Sequence, residues 1–146
     1  MNYRSFKEYE VSEIGLGTWQ LGSADWGVVS DEAAFSILQA FVDEGGNFID
    51  TADVYGMGIS ERIIGRFLKT TNKELFVATK LGRRQDGSCG WPQNFTYDGM
   101  RSNIESSLKN LDVSKLFLEQ LHCIPTEELR SGKVFDHFRR LQREGL

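Results

Sequence analysis

The sequence predicts an α/β fold in which strands and helices alternate and the strands form a parallel sheet. Short apolar runs of strand length recur at Ile14 to Thr18, Asn47 to Asp50, Leu75 to Thr79 and Leu116 to His122. Each is followed by a stretch whose apolar residues recur at helical spacing. The connections suit right-handed crossovers, which set all strands in one direction. A chain of 146 residues, 40% hydrophobic and 26% charged, suits a single globular domain over residues 1–146.

Taken in order, Tyr3 to Val11 has too few periodic apolar residues for a helix and suits a short β-hairpin ahead of the first strand. A loop rich in Gly, Ser and Trp follows that strand. Ser30 then caps a helix: Asp31 and Glu32 complement the positive end of its dipole, Ala34, Ile37, Leu38, Phe41 and Val42 form one stripe, and Gly45 ends it. After the second strand, Ser60-Glu61 opens a helix carrying Ile63, Ile64, Phe67 and Leu68, and Gly65 within it predicts close packing. Leu75 to Thr79 is too short for a helix and partly β-branched, so it is the third strand, with Lys80 at its end. A Gly-rich loop from Gly82 to Phe95 leads to Thr96 as a cap and a helix with Tyr97, Met100, Ile104, Leu108 and Leu111 on one face. The fourth strand is followed by a last helix carrying Val134, Phe135, Phe138 and Leu141 and stopping at Gly145.

The formal net charge of -4, with the positive charges dispersed, argues against a nucleic-acid or anionic-membrane surface. No long uncharged apolar run offers a membrane span, and Met1 to Glu8 lacks the apolar core of a signal peptide, so a cytoplasmic location is expected. Cys89 and Cys123 lie far apart with no partner spacing and read as reduced thiols. HExxH, paired CxxC and Walker patterns are absent, so no metal is expected. Gly15-Leu16-Gly17 begins like a dinucleotide fingerprint, but Gln20 stands where its third glycine belongs.

In a parallel sheet every strand ends on one rim, and ligands bind there in both doubly wound sheets and β/α barrels. Asp50, Lys80 and His122 end strands two, three and four, and Tyr55 lies just past strand two. Two-residue alternation puts Phe48, Phe76, Ala78, Leu118 and Gln120 on the same face as these groups. Carbonyl reduction needs an acid for the oxygen, because an alkoxide left in a dry pocket is costly. Tyr55 suits that task. A neighbouring ammonium favours the phenolate, which is the part for Lys80; Asp50 would keep Lys80 charged and aimed. His122 would hydrogen-bond the carbonyl oxygen. Taken singly, Asp50 also reads as a turn cap, Tyr55 as a boundary aromatic, Lys80 as a solvated strand end and His122 as a satisfied core histidine. Placing all four at successive strand ends favours the chemical reading.

The run Asp50-Thr51-Ala52-Asp53-Val54-Tyr55-Gly56, followed by Gly58, Ser60-Glu61 and Gly65, resembles the aldo-keto reductase signature for strand two and its helix. Ala78-Thr79-Lys80 and Gln120-Leu121-His122 are similar to that family's lysine and histidine strands. The resemblance implies a (β/α)8 barrel of the TIM type, hydride transfer from NADPH to an aldehyde or ketone, and Asp50, Tyr55, Lys80 and His122 as the catalytic tetrad. It further implies Gly17-Thr18-Trp19 beside the nicotinamide and Asp50 near the cofactor's ribose. Trp19, Trp26 and Trp91 fall in loops on the same rim and are candidate pocket walls, whereas Arg83-Arg84 reads as a solvated pair.

A β/α barrel takes about 250 residues. Four strand-helix units are half of one, and the family's cofactor-gripping residues lie mainly in the other half. Self-association, or a missing C-terminal half on a longer parent chain, is therefore expected to complete the barrel, the longer parent being favoured. Two other readings of the same fold stand beside the enzyme: a non-catalytic regulatory subunit of the kind seen in potassium-channel β subunits, and an inactive fragment.

Overall fold

The structure is a computed structural model that describes residues 1–22, 27–83 and 92–146. The candidate pocket walls Trp26 and Trp91, Arg84 of the arginine pair and the thiol Cys89 lie outside the described residues. Strands β1 (Tyr3–Phe6) and β2 (Tyr9–Ser12) make an antiparallel hairpin. Strands β3 (Leu16–Gly17), β4 (Phe48–Asp50), β5 (Phe76–Leu81) and β6 (Leu118–Leu121) form a parallel sheet in that order. The register sets Gly17 beside Asp50, Asp50 beside Ala78, Ala78 beside Leu118, and Lys80 beside Gln120.

This sequential order decides the architecture. A doubly wound sheet reverses its strand order and carries helices on both faces. Here each strand adds to the same edge, so right-handed crossovers put every helix on one side and leave the other side to be covered by curling. Buried on both faces, a parallel sheet of this order closes as a barrel. The chain forms the N-terminal part of a (β/α)8 barrel with a hairpin in front.

On the helical side, α2 (Asp31–Asp43) presses Leu38 and Val42, and α3 (Ile59–Leu68) presses Ile63, Ile64 and Phe67, into one core with Ile49 and Val77. A second core joins Leu81 to Met100 and Ile104 of α4 (Tyr97–Leu111) and to Val134 and Leu141 of α6 (Lys133–Arg143). The caps follow the residues expected for them. Ser30 Oγ accepts from Ala33 N at 3.2 Å, and Thr96 Oγ1 from Gly99 N at 3.2 Å. Gly45, with φ +83°, stands one place past the last residue of the cap, where its N–H bonds Val42 O and that of Gly46 bonds Phe41 O. A Cβ on Gly65 would lie 2.6 Å from Leu111 O, so α3 and α4 cross there at backbone contact.

Several boundaries differ from the sequence expectation. The first strand is only β3, because Thr18 N bonds Asp50 O and the chain turns at once into a single helical turn, α1 (Trp19–Gly22). Lys80 lies within β5, one residue short of its end, and His122 just beyond β6. Gly58, not Ser60, is the cap of α3, and both Ser60 and Glu61 are fully buried. The last helix is α6, as expected, but a short helix the sequence reading lacks, α5 (Thr126–Ser131), precedes it, with Gly132 at φ +75° between them, and Phe135 is exposed rather than core.

The hairpin covers the base of the inner face. Tyr9 meets Phe76 and Phe117 with ring centroids 5.2 and 5.3 Å apart, and Phe6 meets Phe117 at 5.7 Å. Asn47, entering β4, fastens it: its Oδ1 accepts from Ser12 N at 2.7 Å and its Nδ2 donates to Glu10 O at 2.9 Å. Among the described residues the opposite rim stays open. No helix among the described residues is long and apolar enough to cross a membrane.

Candidate active site

The open rim gathers Asp50, Tyr55, Lys80 and His122. Asp50 ends β4 and Lys80 stands on β5, both on the inner face by strand alternation. The Lys80 ammonium donates to Asp50 Oδ1 at 2.6 Å and to the Thr51 carbonyl at 2.6 Å. It stands 3.5 Å from the Tyr55 hydroxyl and 5.0 Å from that ring's centroid. Only 16% of the Lys80 side chain is exposed, so solvent screens this charge weakly. Lys80 thus links the acid to the phenol.

His122 meets the Tyr55 ring edge-on, with centroids 6.1 Å apart at 89°. Burial, and then the positive charges of Lys80 and Arg83, hold its pKa below the ordinary histidine value, against a smaller opposing pull from Asp50. The imidazole is therefore neutral near pH 7. Its Nδ1 is buried without a hydrogen-bond partner among the described residues. A proton there would be a buried, unsatisfied donor, so the neutral ring carries its proton on Nε2.

Trp19 stacks on the other side of Tyr55, centroids 6.2 Å apart at 25°, with 43% of its surface exposed. This contact depends on two glycines. A Cβ on Gly56 would sit 1.7 Å from Gly22 O, and one on Gly22 would sit 2.3 Å from Tyr55 O, so α1 can lie against the Tyr55 loop only where both lack side chains. Of the Gly17-Thr18-Trp19 segment, Gly17 is exposed with open space where a Cβ would be, but the Thr18 side chain turns inward and is buried. Its hydroxyl donates to Asp50 O at 2.9 Å and meets Ser60 Oγ at 3.0 Å. Thr18 holds the strand end that carries Asp50.

Beneath the rim lie residues that stand in the quoted motifs but whose mutual contacts the motifs do not reveal. Thr51 Oγ1 bonds Ser60 Oγ at 2.9 Å, tying α3 to β4. Buried Glu61 accepts from Thr79 Oγ1 at 2.7 Å and from Asn110 Nδ2 at 2.9 Å, joining α3 to β5 and α4. In sequence, Ser60-Glu61 reads only as a helix start; its partners lie 9 to 49 residues away. Met57 and Cys123, which closely follow Tyr55 and His122, both have φ +55°. For side-chain-bearing residues this is strained backbone of the sort that accumulates at functional sites.

A parallel β/α sheet with a lysine-linked acid and phenol and a neutral imidazole at its C-terminal rim defines part of a β/α barrel. The aldo/keto reductase family profile matches residues 13–146, and the chain belongs to that family, a family of oxidoreductases. It is 33% identical over 141 residues to the aldo-keto reductase YhdN of Bacillus subtilis, a match covering 88% of this chain and 41% of that protein. An aldo-keto reductase from Pseudomonas aeruginosa superposes with a TM-score of 0.84 at 30% identity, covering 99% of this chain and 56% of that one. An aldo-keto reductase from Klebsiella pneumoniae, solved with NADPH, superposes with a TM-score of 0.71 at 26% identity, covering 95% and 44%. The chain spans about half the length of the proteins it matches.

Proposed function

We propose that this chain is one domain supplying the acid half of an NADPH-dependent reductase of aldehydes or ketones, with Tyr55 as proton donor. The observation that carries the reading is the Lys80 ammonium, 2.6 Å from Asp50 and 3.5 Å from the Tyr55 hydroxyl. As a carbonyl carbon is reduced, its oxygen gathers negative charge, and the Tyr55 O–H donates its proton to that oxygen. Lys80 stabilises the phenolate left behind. Asp50 and the Thr51 carbonyl hold the ammonium in place, so it is not free to turn toward the substrate. His122, neutral and protonated on Nε2, donates a hydrogen bond to the same oxygen and orients it.

The residues present fit the nicotinamide end of the cofactor. Gly17 offers exposed backbone with no side chain in the way, and Asp50 and Trp19 flank the same rim. When bound, the reduced nicotinamide supplies the hydride. The grip on the adenosine phosphate belongs to strands beyond β6. β3 and β6 each leave an edge unpaired in the described sheet, and a C-terminal half closes it better than a second copy does. Two copies around a barrel axis would bring two hairpins to one base, where Phe6 and Tyr9 already pack on Phe117. The exposed Cys123 thiol goes with a reducing, cytoplasmic compartment.

In a barrel completed with the C-terminal part of a relative such as YhdN, Tyr55→Phe should lower turnover of a simple aldehyde by about 100-fold or more while NADPH affinity persists. Turnover equal to the parent's would refute the assignment of the acid.

A further inference from the structure

Asp50 has two carboxylate oxygens, and Lys80 takes one. The other, Oδ2, receives a single donor among the described residues: Gln120 Nε2, at 3.4 Å. Gln120 stands on β6, paired with Lys80 across the ladder, and Asp50 stands on β4, so the amide reaches past β5 to an acid two strands away. Alternation puts all three side chains on the inner face. The distance is long for a hydrogen bond and 35% of the Asp50 side chain is exposed, but the acceptor is charged, which strengthens the contact.

A carboxylate held by one oxygen turns readily about its terminal torsion, which is broad and has no deep well. Rotation would carry Oδ1 away from the ammonium. A donor on Oδ2 fixes the plane. The residue type is also apt: a carboxylate at position 120 would repel Asp50, and a cation would compete with Lys80 for it, whereas a neutral amide holds without altering the charge balance.

We propose that Gln120 is a positioning residue that fastens Asp50 Oδ2 and so keeps Oδ1 on the Lys80 ammonium beside Tyr55. This rests on the reading of Lys80 and Tyr55 given above, but its test needs no turnover. In the 15N-labelled 146-residue chain, the Lys80 ammonium should give a slowly exchanging side-chain signal, assigned by its loss in Lys80→Met. Gln120→Leu, and Gln120→Met should the first fail to fold, should speed that exchange by about fivefold or more, the effect of losing one hydrogen bond to a charged group. Leu118→Ala, which loosens β6 without removing a hydrogen bond, should leave the exchange as it is. Unchanged exchange in a folded Gln120 variant, an equal acceleration in Leu118→Ala, or no protected Lys80 signal in the parent chain would overturn the proposal. A Gln120-dependent signal in a completed barrel that reduces no carbonyl would support this positioning role and refute the proposed reaction, so the two fail separately.

Discussion

Glu119 within β6 and His122 just past its end are titratable groups that burial drives in opposite senses. His122 binds its proton less readily in the folded chain than in the unfolded one. As pH falls through about 6.5, the unfolded chain takes up that proton first, so this group withdraws stability on the acid side. An NMR titration should place the His122 midpoint below that of free histidine, and a midpoint above it would contradict the neutral donor assigned here. Glu119 is partly exposed along its stem, but both carboxylate oxygens are shut off from solvent and have no hydrogen-bond partner among the described residues. Burial, then the charges of Asp53 and Glu61, push its pKa well above the usual carboxylate range, with the Gln120 backbone and then Lys80 opposing. The folded chain therefore keeps a proton that the unfolded chain sheds, and stability falls as pH rises above about 4.5 toward the raised folded value. Glu119→Gln should stabilise the chain at pH 8 by about 1–3 kcal/mol and leave it nearly unchanged at pH 4, as read by urea unfolding. Equal effects at both pH values would show that Glu119 is not held protonated.

Among the elements, α3 is the one that sets the site's geometry, and it does so through buried polar groups. Thr79→Val would keep the shape of β5 but strip Glu61 of a donor, and should lower unfolding stability by about 1–3 kcal/mol; a change near zero would mean that Asn110 alone satisfies that carboxylate. This link was not legible in the sequence, because acids and serines at a helix start are ordinary in solvent and the partners of Ser60 and Glu61 come from other elements. Local signals fared differently. Ser30, Thr96 and Gly45 mark helix ends by interactions within a few residues, and they stand where the structure uses them. That Asp50 and Lys80 share a face could be read from alternation, since a period of two fixes which face a residue shares, whereas His122 lies one place past β6. The Thr18 side chain could not: a threonine in a rim segment looks available to a cofactor, and only the fold turns its hydroxyl to Asp50 and Ser60. The short helix α5 was likewise hidden, because it buries no side chain and so carries no apolar stripe.

At the scale of the molecule, one sheet brings Asp50, Lys80 and His122 to one rim, and the proposed reading assigns most of the dinucleotide's grip to strands beyond β6. The chain presents three tryptophans, of which Trp19 stacks on Tyr55 and reports on the rim. Completion of the barrel should therefore change cofactor binding far more than it changes the geometry around Lys80, because the groups that set that geometry come from β3 to β6 and α3. The most direct measurement is an NADPH titration followed by tryptophan fluorescence, made on the 146-residue chain and on a barrel completed with the C-terminal part of YhdN, each with its native mass recorded. Saturable quenching by the completed barrel, and none by the monomeric chain, is the result expected of a half-site that holds the acid without the cofactor's grip. Tight, saturable binding to the monomeric chain alone would contradict it.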